Sequence, residues 1–149
     1  MKKALLLLVC VFSLFAVSMK ADNERVITVN QLPAAAQTFL KKNFADAKIA
    51  VVRVETDFLE KVYDVVFTNG NSVEFNRKGE WKEIDCKYDG VPMQVVPAAI
   101  SKYVTENYPD AKIWKIELDK SDKEYELKLS NRWELKFNLD GVLTHLEND

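Results

Sequence analysis

The sequence is poor in the residues that build metal and nucleophile sites. It contains one histidine, His145, and two cysteines, Cys10 and Cys86, in 149 residues. The usual zinc sets of cysteine and histidine therefore cannot be assembled. No Gly-x-Ser-x-Gly frame or similar nucleophile setting is present, and His145 near the C-terminus is best interpreted as structural or exposed. These shortages argue against an enzyme, and they predict no metal site.

Glycine is also scarce, with four in the whole chain. No glycine-rich loop that could cradle a phosphate is present, nor is an Asp-x-Asp-x-Asp-Gly calcium loop. We therefore predict no cofactor. Carboxylates such as Glu124 and Glu126 alternate with aliphatic residues and are interleaved with lysines, which favours a solvated charge lattice over acid–base catalysis.

One long apolar run is present, and it lies at the start of the chain. Two lysines precede an apolar stretch over residues 4–17, which small and polar residues follow. This order is typical of a secretory signal peptide, and the run is shorter than the about 20 residues of a membrane-spanning helix. We predict a signal peptide over residues 1–21, cleaved after Ala21, with Ser18 as the alternative. A retained N-terminal anchor is the less favoured interpretation.

Cys10 lies inside this run and gives it some likeness to a lipobox. Val9 stands where that motif needs a small residue, and the apolar run continues beyond Cys10. We therefore expect no lipid anchor. The mature chain is predicted to be periplasmic or secreted, with no membrane span.

Signal removal changes the balance of charge and of cysteine. Three lysines leave with it, so 18 basic residues remain against 23 acidic ones, a net charge of about −5. This balance argues against binding to nucleic acid, whose phosphates require a basic face. Cys86 remains alone and cannot form an internal disulfide. We interpret it as a small buried hydrophobic residue, with an intermolecular bridge as the alternative.

The chain contains one pattern twice, over residues 31–49 and 95–113. Such self-similarity means that one supersecondary unit is used two times. The identical pairs are Pro33/Pro97, Ala34/Ala98, Ala35/Ala99, Asn43/Asn107, Asp46/Asp110, Ala47/Ala111, Lys48/Lys112, Ile49/Ile113, Tyr63/Tyr125, Asn69/Asn131, Phe75/Phe137, Asn76/Asn138 and Gly79/Gly141. We predict a single α+β domain over residues 22–149, made of two repeats at about 26–86 and 90–149.

Each repeat is predicted to begin with a helix. Pro33 and Pro97 suit a first helical turn, where a missing N–H is no loss, and apolar residues follow at the spacing of one helical face. The helices should end near Asn43 and Asn107. The segments before them resemble each other, and we expect each to be a short extended lead-in.

The period then changes from helical to two, which predicts about four antiparallel strands in each repeat, with one face buried and one wet. Turn signals separate the strands at residues 68–71, 76–79 and 138–141. In the second repeat, Trp114, Ile116 and Leu118 are predicted to face one way. The first repeat supplies strands at about residues 49–54, 62–67, 72–75 and 81–86.

The Leu-Pro-Ala-Ala lead-in, the "NYPDAKI" ending of the helix and the "FNRKGEW" turn resemble the PepSY-like, or β-lactamase-inhibitor-like, family of exported bacterial proteins. The resemblance covers essentially the whole mature chain. It implies a tandem fold in which two helices pack on one face of a curved antiparallel sheet. It also implies that the protein binds or inhibits another protein through the open face of that sheet. No run in this sequence matches an inhibitory loop of the true β-lactamase inhibitors.

The outward faces of the two repeats differ. The second repeat presents only charged residues: Lys115, Glu117, Glu124, Glu126, Lys128, Glu134 and Lys136. The first presents an apolar centre with charged edges, which is typical of a protein-binding face: Val51, Arg53, Val62, Asp64, Val66 and Glu74, with Trp81 added by the last strand. The alternative is that the N-terminal segment or the other repeat covers these valines. A register shift of one residue would exchange the faces.

The sequence therefore predicts an exported, non-enzymatic binding module. Its expected partner is another exported or envelope protein, which it docks through the open face of the sheet and inhibits if it acts as the family name implies. The alternative functions are a structural or envelope-stress role and the carriage of a small apolar ligand between sheet and helices.

Overall fold

The computed structural model of the protein describes residues 23–148, so the predicted signal peptide over residues 1–21 lies outside the described residues. The described chain forms two α-helices of ten residues each and nine β-strands. The helices are α1 (Ala34–Asn43) and α2 (Ala98–Asn107). The strands are β1 (Glu24–Ile27), β2 (Ile49–Thr56), β3 (Lys61–Phe67), β4 (Ser72–Asn76), β5 (Trp81–Asp85), β6 (Ile113–Asp119), β7 (Glu124–Leu129), β8 (Trp133–Asn138) and β9 (Leu143–Asn148).

Both helices begin directly after a proline and end at an asparagine. Pro33 and Pro97 occupy the N-cap positions, one residue before the predicted first turn, with φ of −54° and −52°. At the other end, the side-chain amides of Asn43 and Asn107 donate to the carbonyl four residues earlier, at 3.0 and 2.9 Å. Each side chain thus bonds back to the last turn of its own helix. The predicted ends of both helices are confirmed.

The segments that lead into the helices are only partly extended. Each contains a single 3₁₀ turn, at Val29–Gln31 and at Met93–Val95. In the first turn, the backbone N–H of Thr28 donates to the side chain of Gln31 at 2.9 Å, as in a capping box. The prediction of short extended lead-ins is therefore wrong over these two turns, where local hydrogen bonds tighten the backbone.

The strands pair in the order of the sequence, each antiparallel to the next, from β1 to β9. α1 is followed by β2–β5, and α2 is followed by β6–β9. The two groups of strands join because β5 pairs with β6, where Ile84 lies opposite Ile116. The sheet is therefore continuous across the middle of the described chain, and the fold is α+β.

Both helices pack on one face of this sheet. Phe39 of α1 meets Phe75 edge to face with ring centroids 5.6 Å apart, and Tyr103 of α2 meets Phe137 in the same way at 5.4 Å. Phe75 and Phe137 are fully buried, and burial of a side chain of this size stabilises the fold by roughly 1.5–3 kcal/mol. Cys86 lies in the same core and is 1% exposed, which confirms its interpretation as a buried hydrophobic residue.

Two hairpin turns approach the starts of the helices very closely. Gly79, between β4 and β5, has φ of 83°, and a Cβ added there would lie 2.8 Å from the backbone nitrogen of Ala36. Gly141, between β8 and β9, has φ of 79°, and its added Cβ would lie 2.6 Å from that of Ala99. Only glycine combines this left-handed backbone with the absence of a side chain. Each hairpin can therefore rest directly on its helix.

A β-bulge changes the predicted direction of Trp81. Glu74 of β4 lies opposite Glu83, whereas the next residue, Phe75, lies opposite Trp81. Trp81 consequently shares the helix-covered face with Phe75, and its ring centroid is 6.3 Å from that of Tyr125. The prediction that Trp81 adds to the outward face is wrong, because a bulge inserts one residue and breaks the strict alternation of sides.

A second bulge turns Trp114 outward. The register of β6 shifts between Ile113 and Lys115, which leaves Trp114 as the extra residue. Its side chain lies at the surface beside Lys87, whose ammonium nitrogen is 5.7 Å from the ring centroid. The prediction that Trp114 faces the same way as the buried Ile116 is therefore wrong for the same physical reason.

Within residues 23–148, neither helix has the length and apolar character that crossing a bilayer requires.

Candidate functional site

The face of the sheet opposite the helices, called the open face below, carries most of the residues predicted to bind a partner. Val51 lies opposite Val66, and Arg53 lies opposite Asp64, on the paired strands β2 and β3. Asp64 in turn lies opposite Glu74 on β4. Directly opposed residues point to the same side of a sheet. These five predicted residues therefore share the open face.

Four valines of the first half surround Arg53 on the open face. Val62 lies two residues before Asp64 on β3, and Val26 of β1 lies opposite Arg53. Val26 is 72% exposed, and the other three valines are half-buried. We call this surface the valine patch: Val26, Val51, Val62 and Val66. Arg53 and Asp64 alternate with the valines along the strands, so charged side chains divide the patch.

Arg53 is the polar centre of the valine patch. Its Nε lies 3.2 Å from Oε1 of Glu24, and its Nη1 lies 3.7 Å from Oδ2 of Asp64. Burial raises the pKa of Asp64, and the positive charge of Arg53 offsets part of that rise. Arg53 therefore holds two carboxylates in place between the valines.

A row of carboxylates crosses the open face beside the valine patch. Each member lies directly opposite the next one on the neighbouring strand, over five consecutive strands. We call it the carboxylate row: Asp64, Glu74, Glu83, Glu117 and Glu126. Like charges in directly opposed positions destabilise a sheet by about 0.2–1 kcal/mol per pair. Burial, followed by repulsion from Glu83 and Asp64, raises the pKa of Glu74 above its ordinary value.

Two lysines of the second half offset part of this negative charge. The ammonium of Lys115 lies 2.9 Å from Glu83. Burial lowers the pKa of Lys115, but the hydrogen bond to Glu83 and the neighbouring carboxylates outweigh this effect and raise it. Lys136 lies 2.5 Å from Glu126 and 3.1 Å from Glu124, and these hydrogen bonds raise its pKa as well. The predicted charge lattice of the second half is confirmed.

Sequence reasoning missed two residues of the open face. Val26 belongs to β1, whose pairing with β2 depends on a contact between segments far apart in the chain. Trp114 was assigned to the core because its bulge leaves no clear signal in the alternation. The signal that could have exposed Trp114 is the repeat itself, since the corresponding residue of the first half is the small, exposed Ala50.

His145 lies on the open face at the far edge of the sheet, opposite Lys136. Its Nε2 is 3.6 Å from Oε2 of Glu147, and both side chains are more than half exposed. Among residues 23–148, no three histidine, cysteine, aspartate or glutamate side chains come together in a way that could hold a metal ion. The arrangement resembles an exposed ion pair more than a catalytic pair.

A comparison with known protein families shows to which family the chain belongs. Residues 18–60 and 61–145 match a family described as "Putative beta-lactamase-inhibitor-like, PepSY-like". The chain belongs to this PepSY-like family. The resemblance found in the lead-in, helix-end and turn motifs is therefore confirmed over both halves. No curated protein matches the chain.

Solved structures of PepSY-like relatives share the fold closely. A "putative calcium-regulated periplasmic protein" of Bacteroides thetaiotaomicron is 56% identical, with 84% of this chain and 97% of that chain covered and a TM-score of 0.81. A periplasmic protein of Bacteroides vulgatus is 54% identical, covers 86% and 99% of the two chains and has a TM-score of 0.82. A second protein of that species, described as periplasmic and of unknown function, is 42% identical, covers 84% and 99%, and has a TM-score of 0.77.

All three relatives are described as periplasmic proteins. This agrees with the signal peptide predicted over residues 1–21 and confirms the predicted location outside the cytoplasm. The identities are high enough for the shared fold to include the open face and its strands.

Proposed function

We propose that this PepSY-like protein is a non-enzymatic binding module that docks another periplasmic or envelope protein through the open face of its sheet. The observation that carries the proposal is the valine patch, which combines an exposed Val26 with a polar centre at Arg53. Protein-binding surfaces combine apolar area with polar groups, and arginine is enriched in them. Inhibition is the form of docking that the family description suggests.

The position of the helices supports this choice of face. Both helices cover the opposite side of the sheet through contacts such as those of Phe39 with Phe75. β1 lies beside β2 in the plane of the sheet and does not fold across it. From residue 23 onward, the N-terminal segment thus does not cover the valine patch, which argues against the alternative in which it does.

The charge of the open face limits the class of partner. The carboxylate row and the acidic balance of the chain disfavour nucleic acid, since phosphate binding needs a basic surface. A protein partner with basic side chains near an apolar surface would complement the valine patch and the adjoining row.

A non-enzymatic function agrees with the chemistry of the described residues. Catalytic groups work in water-excluded settings where their pKa values are shifted toward the working pH. His145 and Glu147 are instead exposed at an edge strand. Burial raises the pKa of the Cys86 thiol to about 12, so this residue is a poor nucleophile.

The alternative of an apolar ligand held between sheet and helices is less well supported. Fully buried side chains such as Phe75, Ile100 and Phe137 fill the space between the layers. A carrier needs a cavity at this place, and close packing leaves little room for one. A structural or envelope-stress role remains the alternative that the experiment must distinguish from docking.

We infer further that the chain after the signal peptide is one domain, made of two copies of a unit of one helix and four strands. The continuous sheet and the single core support one domain. The matching positions of Gly79 and Gly141 against the two helices support the duplication.

A capture experiment tests the proposed docking. The purified protein and a Val62→Glu/Val66→Glu variant serve as baits in a native periplasmic extract, with and without calcium because one relative is described as calcium-regulated. Val142→Glu is the matched control, since Val142 is 59% exposed but lies in the β8–β9 turn, away from the valine patch. Circular dichroism verifies that each bait is folded.

A captured protein is then purified and titrated against all three forms by calorimetry. We expect it to bind the parent and the Val142→Glu protein alike and to lose at least about tenfold in affinity to the patch variant, a loss of about 1.4 kcal/mol. Equal binding to all three forms would reject the valine patch. Capture of nothing by the parent would favour a structural role.

A further inference from the structure

The second half of the chain carries a surface pocket. It has a volume of about 330 Å³, lies at the ends of β6, β7 and β8, and is lined mainly by apolar surface. Its lining residues are Trp114, Lys128, Leu129, Arg132, Trp133 and Glu134. Trp114 and Trp133 both border the pocket, but their rings face opposite sides of the sheet. Trp133 packs against Tyr108 on the helix-covered side, with ring centroids 6.0 Å apart, whereas its bulge turns Trp114 to the open face. This volume lies at the lower end of the range of small-molecule sites.

The backbone at Arg132 is unusual. Arg132 has φ of 71°, in the left-handed region, which costs a residue with a side chain about 1–2 kcal/mol. In the first half the same turn position holds Gly70, with φ of 88°. The turns are equivalent, because the N–H of Gly70 donates to Phe67 at 3.0 Å and that of Arg132 donates to Leu129 at 3.1 Å. The second half thus places an arginine where the local backbone favours glycine.

The other lining residues also distinguish the second half from the first. At the corresponding positions, the first half has Ala50 for Trp114 and Asn71 for Trp133. Lys128 likewise stands where the first half has Val66. The second half therefore has the Trp114 indole and two cations at one pocket, where the first half has alanine, glycine and valine. Strained backbone and aromatic lining of this kind are found at ligand sites.

Two cations, Lys128 and Arg132, and one carboxylate, Glu134, line the pocket. Lys128 forms an ion pair with Glu134. Within residues 23–148, no carboxylate lies within ion-pair distance of Arg132 or of Lys87, whose ammonium adjoins the ring of Trp114. An anionic group can therefore meet the Arg132 guanidinium without displacing a protein carboxylate.

We propose that Trp114 and Arg132 form a binding site for a small aromatic carboxylate. An aromatic ring fits against indole surfaces in offset or edge-to-face contact, and a carboxylate fits the planar fork of a guanidinium with two parallel hydrogen bonds. The lining offers no hydroxyl or amide side chain, which disfavours a neutral sugar. The site lies in the second half and does not depend on docking at the valine patch.

Calorimetric titration of the purified protein with phenylacetate tests this proposal, with uncharged phenylacetamide as the matched probe. We expect phenylacetate to bind at least about tenfold more tightly than phenylacetamide, because only the acid can form the charge-assisted pair. We also expect phenylacetate to raise the melting temperature of the parent.

Arg132→Gly and Trp114→Ala each restore the residue of the first half, and each should weaken phenylacetate binding at least about tenfold. Lys123→Gly is the control, because Lys123 is the other described non-glycine residue with positive φ, at 57°, and is not part of the pocket. It should bind phenylacetate like the parent. The proposal is overturned if the parent fails to bind millimolar phenylacetate, binds both probes equally, or keeps its affinity after Arg132→Gly while the variant remains folded.

Discussion

Glu74 lies directly opposite Glu83 on the open face, and Asp64 lies opposite Glu74 on its other side. Burial and these two neighbours raise the pKa of Glu74 in the folded protein. A carboxylate whose folded pKa is above its unfolded value destabilises the fold when it is ionised. This cost is present at neutral pH and disappears as the pH falls from the folded pKa toward the unfolded value near 4.5.

The first prediction concerns this residue. Glu74→Gln should stabilise the protein at neutral pH by a few tenths to about 1 kcal/mol, after allowance for solvent screening. The gain should shrink as the pH is lowered and the parent carboxyl becomes protonated. Urea unfolding at several pH values measures it, with Glu106→Gln on the exposed surface of α2 as control. A gain that is constant with pH would contradict the assigned cause.

The second prediction concerns the glycines that touch the helices. Gly79→Ala and Gly141→Ala should each destabilise the fold more than Gly70→Ala. All three glycines have positive φ, so each substitution carries a backbone cost of about 1–2 kcal/mol. Only at Gly79 and Gly141 would the new Cβ lie under 3.0 Å from another atom, whereas at Gly70 it would lie 3.4 Å from the Tyr88 ring. Overpacking adds about 1–3 kcal/mol.

Chemical denaturation of the three glycine variants under identical conditions gives this order directly. Gly79→Ala should be the most costly, because its clash includes the Ala36 backbone nitrogen, which cannot move without disturbing the start of α1. If Gly70→Ala were as damaging as the other two, backbone strain alone would explain the losses and the close approach would be unimportant.

The third prediction concerns the backbone strain at Arg132, measured apart from ligand binding. Arg132→Gly should stabilise the fold by about 0.5–1 kcal/mol, because the left-handed backbone cost is removed and only part of it is offset by the greater freedom of glycine in the unfolded chain. Lys123→Gly should act in the same direction. The midpoint of urea unfolding measures both. A lower midpoint for Arg132→Gly would show that the arginine side chain stabilises the fold itself.

The fourth prediction concerns Cys86, which is a free thiol buried in the core. Burial raises the pKa of its thiol to about 12, so the reactive thiolate is rare at neutral pH. Folded protein should react with a thiol reagent far more slowly than protein unfolded in urea. It should also remain free of disulfide-linked dimer after exposure to air. Rapid labelling in the folded state would indicate local opening of the β5 end.

Much of the fold could be predicted from the sequence because the signals for helices, strands and turns are local. Pro33 marks the start of a helix because its missing N–H is no loss there. Asn43 marks the end, where its side chain donates to the carbonyl of Phe39. The alternation in β3 and β7 fixes which side each residue faces as long as no bulge intervenes. The repeat gave further support, since each signal occurs twice.

The candidate site could be predicted only in part, and each wrong assignment has a physical cause. The side that Arg53, Val62, Asp64 and Val66 face could be predicted because the alternation around them is regular. Val51 directly follows a register shift in β2 and still lies on the same side. Trp81 and Trp114 were misplaced because a single inserted residue reverses the direction of a side chain without altering the local composition.

The sequence by itself determined the helices, most strands, the α+β class and the membership of the PepSY-like family, because these depend on periodicity and turn residues within each unit. Only the tertiary structure decided that β5 pairs with β6 and that Val26 joins the open face. It also aligned the members of the carboxylate row, and it placed Trp114 and Arg132 at one pocket. These features depend on hydrogen bonds between strands and on bulges that shift their register, and neither leaves a periodic trace in the chain.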